Sequence, residues 1–514
     1  MKITSALKSQ TALSLRTRLT VSRPSVRRSL ASRMTTVLTA LGVESVAPDI
    51  DGLVAQFEIA LRTADPSTVW LALAVLDARL PRADDVRRTV RTIRLDGVSA
   101  AFGSPVGRAV DDWLGSARDT VDVEVMVGDV LVDLEHTARA DVATGIQRVA
   151  RETSKRWVRD HDVRLVAWSP DHSHLRLLGP DEQERALTGS PARSSNGHER
   201  GTVIVPWRST YLLPELSPER ERNERIAAIA QFARGRSGVI GFDCVPITTA
   251  ETTALGVSEA FASNLAAVRH MDNVSAISQA AALEYRGWRS MLSSIGQRGP
   301  EITPDLLPAE APATTDVDLA AVRASLTVPG LPMVLCVGTH EPRKNHVALL
   351  HAAELLWRDG VQFSLVLVGG RSWNDDAFQS AVATARGRNR PLDVVTTMSD
   401  DVLWAAYRVA RCVVFPSLNE GFGLPIAESL ACGTPIVTSR YGSMAEIGAA
   451  GGAVLVDPRD DADIARGLRA VIEDDALHSS LVAQALARPS RTWDDYAAAA
   501  WSTLAVRGSG PTGA

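Results

Sequence analysis

The sequence predicts an α/β protein of two Rossmann-like, doubly wound domains behind an N-terminal helical extension. Three observations predict it. First, the chain has 514 residues, 45% hydrophobic and 22% charged, a globular composition with room for two or three domains. Second, a strand–glycine loop–helix junction occurs twice in the C-terminal half. The apolar run Cys412-Val413-Val414-Phe415 leads to Glu420-Gly421-Phe422-Gly423-Leu424-Pro425 and a helix carrying Glu428. Val334-Leu335-Cys336-Val337 leads to Gly338-Thr339-His340-Glu341-Pro342-Arg343-Lys344-Asn345 and a helix from His346. Such junctions present sites at the carboxyl ends of parallel strands. Third, strand and helix patterns alternate from about residue 332 to 475, as a doubly wound sheet requires.

Residues 1–43 hold Lys2, Lys8, Arg16, Arg18, Arg23, Arg27, Arg28 and Arg33 and no acid. They read as a disordered tail, as a basic arm against the anionic inner face of a membrane, or as a targeting peptide. Residues 44–124 form a helical extension, with Leu53, Phe57 and Leu61, then Val69, Leu73 and Leu76, at helical spacing.

The first Rossmann-like domain is expected over 125–295, with strands at Val130–Asp133, Thr202–Val205, Gly238–Gly241 and from Val274. In it, Ala143-Thr144-Gly145-Ile146-Gln147-Arg148 opens a helix running through Lys155. Arg148 is read equally as a cleft residue and as a surface ion pair. Asp243 follows the strand Gly238–Gly241 and reads as a cleft residue or a turn. Ser278 reads as a helix N-cap. Residues 180–200, polar and rich in Ser, Arg and Gly, read as a mobile loop.

Pro300, Pro304, Pro308 and Pro312 mark an interdomain linker over 296–318. The second domain then spans 319–488. Residues 489–514 form a last helix, Trp493 to Leu504, packed across the domains, and a tail.

Net charge is −5, which gives no case for a nucleic-acid partner. No uncharged apolar run is long enough to span a membrane; Val69–Leu76 ends at Asp77 and reads as a core helix. Cys244, Cys336, Cys412 and Cys432 form no Cys-x-x-Cys pair and read as free buried thiols of a reducing compartment, the cytoplasm. No cluster of ligands indicates a metal site.

The glycine loops carry the chemistry. Glycines let a ligand approach the backbone, and helix N-termini offer free N–H groups to anionic or hydroxyl-rich ligands. Arg343 and Lys344 sit where a diphosphate could be neutralised without a metal; the bland alternative is a solvated basic pair beside a turn. Glu420 and Glu428 could each hold sugar hydroxyls.

Gly338–Asn345, Phe415–Pro425 and Gly433-Thr434-Pro435-Ile436-Val437 resemble the motifs of retaining glycosyltransferases of family 4. The resemblance covers about 330–475 well and 128–295 weakly, and it implies the two-domain GT-B fold with a cleft between the domains. By that resemblance Glu428 binds the ribose of a nucleotide-sugar donor and Glu420 contacts the hexose. Arg343 and Lys344 then bind the diphosphate, and Gly421, Phe422, Gly423, Leu424, Gly338 and Thr339 line the donor site. Family members often carry Arg where this chain has Thr339, so Arg343 takes the guanidinium role. Relatives have a His-Asp or Tyr-Asp pair where this chain has Phe242-Asp243. Gly145 resembles the loop by which the first domain approaches the phosphates or the acceptor.

The implied activity is a metal-independent, retaining hexosyl transfer, without a cofactor, to a glycan or lipid-linked saccharide. The Gly338 loop resembles that of mannosyl- or rhamnosyl-adding members, which points to GDP-mannose. The alternatives are an inactive nucleotide-sugar-binding scaffold and a nucleotide-sugar epimerase on the same fold.

Overall fold

A computed structural model describes residues 24–44, 49–103, 121–139, 144–190 and 201–506. It contains two α/β domains with separate sheets. The first sheet has nine strands: β1 Val123–Val127, β2 Val130–Asp133, β3 Val163–Trp168, β4 Leu175–Leu177, β5 Val203–Trp207, β6 Thr210–Leu213, β7 Arg236–Gly241, β8 Asn273–Ala276 and β9 Glu301–Pro304. Their order is β1-β5-β4-β3-β2-β6-β7-β8-β9, parallel except where β4 pairs antiparallel with β3 and β5. The second sheet has six: β10 Met333–Val337, β11 Ser364–Val368, β12 Leu392–Val395, β13 Cys412–Phe415, β14 Ile436–Ser439 and β15 Ala453–Val456. Their order is β12-β11-β10-β13-β14-β15, all parallel.

Helices cover both faces of the second sheet, so its central strands are mostly apolar. All of β11 and β13 is buried. The order reverses between β10 and β13, which pair directly through Val334–Cys412 and Leu335–Val413. At such a switch point the loops after the two strands part and leave a crevice. The loops in question are the two glycine loops. In the first sheet the corresponding reversal lies between β2 and β6.

The N-terminal extension begins earlier than expected. Pro24–Ala40 is a helix, not a tail, and its Leu30, Met34, Val37 and Leu38 are buried. Arg33 is buried too, and it donates to the Leu76 carbonyl at 2.9 Å. It is therefore not part of a free basic arm. Residues 1–23, which hold five of the basic residues named above, lie outside the described residues. Among the described residues, helices Ile50–Leu61, Pro66–Leu76, Ala83–Asp96 and Val98–Gly103 follow in the extension. Every residue from Thr68 to Leu76 is buried, so this helix is interior. Trp207 donates to the Ala40 carbonyl at 3.1 Å and Arg225 to that of Leu80 at 3.1 Å, which ties the extension to the first domain.

Two further boundaries move. Residues 301–304, expected in the linker, form β9, paired with β8 at the sheet edge where Pro304 is tolerated. The connection is then 305–315, since a helix Asp316–Leu326 starts next, with Thr315 accepting from Asp318 N–H. Residues 180–188, expected in a loop, form a helix; Arg176 holds Glu182 in its first turn with two bonds of 2.6 Å. Residues 191–200 lie outside the described residues.

Ser278 caps the helix Gln279–Ser294, accepting from Ala281 N–H at 2.9 Å. The helix Trp493–Leu504 returns to the first domain, where Trp157 donates to the Ala497 carbonyl at 3.0 Å and Arg236 to that of Leu504 at 2.9 Å. The four cysteines are free, and Cys244, Cys336 and Cys412 are buried. Among the described residues no helix is long and apolar enough to cross a membrane, and no group of three or more His, Cys, Asp or Glu could hold a metal ion.

Candidate active site

Arg343 and Lys344 stand on a short 3-10 turn, Pro342–Lys344, directly after β10. They are not a solvated pair, because their side chains are 16% and 13% exposed. Both turn toward Glu420 in the loop after β13. Arg343 Nη1 lies 2.6 Å from Glu420 Oε2, and Lys344 Nζ 2.7 Å from Oε1. Ser417 Oγ donates to the same Oε1 at 2.6 Å, and Arg343 reaches the Asn419 carbonyl at 2.8 Å and Glu341 at 2.7 Å. Burial alone would raise the Glu420 carboxyl, but Lys344 and Arg343 outweigh it and hold the group at about 2. Burial opposes the charge on Arg343, and Glu420 and Glu341 more than restore it, so that its pKa is raised.

The loop that holds Glu420 is shaped by two glycines. Gly423 has φ +100° and precedes the helix Leu424–Ala431, which carries Glu428. Gly421 touches the other domain. A Cβ there would sit 2.3 Å from the Phe242 carbonyl oxygen and 3.0 Å from Asp243 Oδ2. Asp243 thus faces the Glu420 loop across the cleft. Burial raises its carboxyl to about 6, against the pull of Arg343 and with the push of Glu284.

Glu428 is buried, and both of its oxygens are engaged. Arg148, from the first turn of the helix Gly145–Asp160, bonds Oε1 at 2.5 Å, and Tyr407 OH donates to Oε2 at 2.8 Å. The Arg148 guanidinium also lies 5.9 Å from the Trp404 ring centroid. Thr144 caps that helix by accepting from Gln147 N–H. Gly145 faces the donor-side helix: a Cβ on it would lie 3.5 Å from Leu424 Cδ1. Phe422 is buried in the core between the domains. Gly338 N–H continues the ladder to the Val368 carbonyl at 2.8 Å, and Thr339 is exposed.

The structure thus brings together Arg343, Lys344, Glu420, Gly421 and Asp243 as one cluster, and Arg148, Glu428, Gly145 and Leu424 as a second. Thr339 borders the first cluster, its carbonyl accepting from Glu341 N–H at 2.8 Å. Several partners carried no sequence signal. Tyr407 and Trp404 lie on an ordinary amphipathic helix, Asp400–Val409. Glu284 accepts from Cys244 N–H at 2.7 Å and Asn419 Nδ2 at 3.4 Å, and so bridges the domains. Glu446 accepts from Gln279 and Ala280 N–H at 3.0 Å each. Ser417 was within reach of the sequence, as it stands inside the quoted motif.

Residues 321–488 match the family model of the glycosyl transferases, group 1. The second domain, with both glycine loops and both glutamates, lies within that match. The serotype-specific mannosyltransferase WbdA of Escherichia coli is 27% identical over 322 residues, 60% of this chain and 38% of that protein. The O-antigen chain mannosyltransferase B of Escherichia coli is 37% identical over 166 residues, 31% of this chain and 42% of that one. This chain thus spans less than half the length of these curated relatives. The N-terminal domain of trehalose-6-phosphate phosphatase from Candida albicans superposes with a TM-score of 0.52 at 11% identity, over 74% of this chain and 98% of that one. That likeness concerns the fold. Two facing parallel α/β domains with a helix returning from the second to the first are the GT-B arrangement.

Proposed function

We propose that the chain is a retaining family 4 glycosyltransferase that moves a hexose, mannose, from a nucleotide sugar, GDP-mannose, to an acceptor hydroxyl in glycan synthesis. The observation that carries this reading is the half-buried Arg343–Lys344 pair closed on Glu420 beside the switch point of the second sheet. Two cations in a shielded crevice are suited to a diphosphate, and their charge acts more strongly there than in water. The likeness to mannosyltransferases supports mannose as the sugar.

In this scheme the diphosphate takes the place of Glu420 on part of the basic pair. Glu428 turns from Arg148 to the ribose hydroxyls, and Glu420 accepts bonds from the hexose. The acceptor oxygen bonds to the anomeric carbon as the bond from that carbon to the diphosphate oxygen breaks. Arg343 and Lys344 stabilise the departing diphosphate, which takes the acceptor proton. Glu420, ionised beside Lys344 and Arg343, suits hydrogen bonding to the hexose hydroxyls. Asp243, whose carboxyl burial raises to about 6, would accept a bond from the acceptor hydroxyl. No step needs a divalent metal.

The test is to incubate the protein with GDP- and UDP-sugars and saccharide acceptors, then follow diphosphate release and product anomer by NMR. An α-linked product from an α-linked donor supports retention, and an inverted product refutes it. Donor binding without turnover in the presence of every acceptor would favour a scaffold.

A further inference from the structure

The helix Gln279–Ser294 of the first domain begins against the loop that carries Glu420. Ser278, at its N-cap, is fully buried, and its hydroxyl makes two bonds. It accepts from Ala281 N–H at 2.9 Å, the ordinary duty of an N-cap. It also donates to the Gly421 carbonyl of the second domain at 2.6 Å. The cap alone does not require serine, since Asp and Asn serve there equally well. An ionised aspartate only accepts, whereas a hydroxyl accepts and donates at once. The bond to Gly421 is therefore what a hydroxyl adds at this position.

Two further contacts fix the same juncture. Glu446 of the second domain accepts from Gln279 and Ala280 N–H at 3.0 Å each. Asn419 Nδ2 donates to Thr248 Oγ1 of the first domain at 3.0 Å. Asn419 and Gly421, the residues on either side of Glu420, are thus both tied to the first domain. The Glu420 carbonyl itself accepts from Ser443 at 2.8 Å, within the second domain. Gly421 has no room to move toward the first domain, because even a Cβ would lie 2.3 Å from the Phe242 carbonyl oxygen. The basic pair is anchored differently. Arg343 bonds Glu341, the Asn419 carbonyl and Glu420, and Lys344 bonds Glu420, all within the second domain.

In the proposed scheme the diphosphate takes the place of Glu420 on part of the basic pair. The carboxylate is then aimed by its backbone, and the first domain holds that backbone. We infer that Ser278 is a positioning residue for the sugar. Through the Gly421 carbonyl it sets the Glu420 carboxylate against the hexose, so sugar recognition depends on the first domain and diphosphate recognition does not. Ser278 touches no substrate and acts only through the loop. The inference rests on the transfer reading above, because that reading makes Glu420 the hexose contact.

The experiment compares wild type, Ser278→Asp and Ser278→Ala. Aspartate keeps the cap and loses the donation, and alanine loses both. Calorimetry gives affinities for GDP and GDP-mannose, and for UDP and UDP-glucose. In both variants the ratio of nucleotide-sugar to nucleotide affinity should fall on the order of tenfold, as loss of a charged hydrogen bond requires. Affinity for the nucleotide itself should persist. Hydrogen exchange without ligand should quicken over residues 418–423 and stay unchanged over 338–345. Should the aspartate variant not fold, exchange in the alanine variant decides, since loss of the cap alone loosens 279–282 and leaves 418–423 as in wild type. An unchanged ratio, or unchanged exchange over 418–423, in a folded variant overturns the inference, and so does a loss confined to alanine when both variants fold. Faster exchange over 418–423 in a protein that binds neither nucleotide sugar defeats the transfer reading alone and leaves Ser278 as the residue that holds the loop.

Discussion

Arg148 and Glu428, 280 positions apart in the chain, meet at 2.5 Å across the interdomain cleft. The glutamate proposed to hold the donor ribose pairs with the opposite domain. Arg148 is thus an ion-pair partner at the cleft, which unites the two readings its place in the sequence left open. In the proposed scheme, donor binding exchanges this contact for ribose hydroxyls.

Glu428→Ala should weaken nucleotide-sugar binding more than Glu428→Gln. The amide keeps an acceptor for a ribose hydroxyl and for Tyr407, and the alanine keeps neither. Loss of a charged hydrogen bond typically costs about 1.5–3 kcal/mol. Calorimetric titration with the donor reads this, and unchanged affinity in the alanine variant removes Glu428 from the site.

Lys344→Ala should lower turnover on the order of 100-fold, the usual loss for one preorganised stabilising group. The fold should survive, because Arg343 still lies 2.6 Å from Glu420 and keeps the buried carboxylate paired. A melting curve and a single-turnover assay separate the two effects. Normal turnover would make Lys344 a structural partner of Glu420 alone.

Exhaustive chelation should leave activity intact. The glycine loops hold no Asp-x-Asp, and the basic pair supplies the charge that a metal would otherwise bring. A large loss that added magnesium or manganese restores would refute metal independence.

Gly421→Ala should open the cleft. Its Cβ cannot lie 2.3 Å from the Phe242 carbonyl, and backbone on both sides leaves a domain shift as the relief. A misplacement of about 1 Å at a reacting centre can cost on the order of 100-fold in rate. Small-angle scattering should show a larger radius of gyration. An unchanged radius together with wild-type turnover would contradict the contact.

Stability should fall as pH drops below neutrality. His346, 3% exposed, is pushed down to about 3 by burial, with His340 and Lys344 adding to it. Below the ordinary histidine value of 6.5 the unfolded chain takes up a proton that the folded chain refuses. The contribution is therefore present above about 6.5 and is lost as pH falls toward 3, by roughly 2 kcal/mol at pH 5. Comparison of melting at pH 7.5 and 5 for wild type and His346→Phe reads this, and equal pH dependence in both would exclude His346 as the cause.

Sequence alone determined the α/β class and the strands that end at the site. β10, β11 and β13 are buried on both faces, so burial writes itself as unbroken apolar runs, and glycines mark the loops that follow. Other elements were obscured by local chemistry. The helix Pro24–Ala40 has Leu30, Met34, Val37 and Leu38 at helical spacing, but its arginines outweighed that stripe. β9 carries Glu301 and Pro304, which only an edge position accommodates. Tertiary structure alone decided the pairings. Arg343 and Lys344 close on Glu420 because β10 and β13 are neighbours at the switch point, a fact of strand order. Arg148 reaches Glu428, and Gly421 meets Phe242, because of how one domain is set against the other. A residue's type and spacing carry its local structure, whereas contacts between separately folded sheets depend on orientation, which no short stretch of sequence encodes.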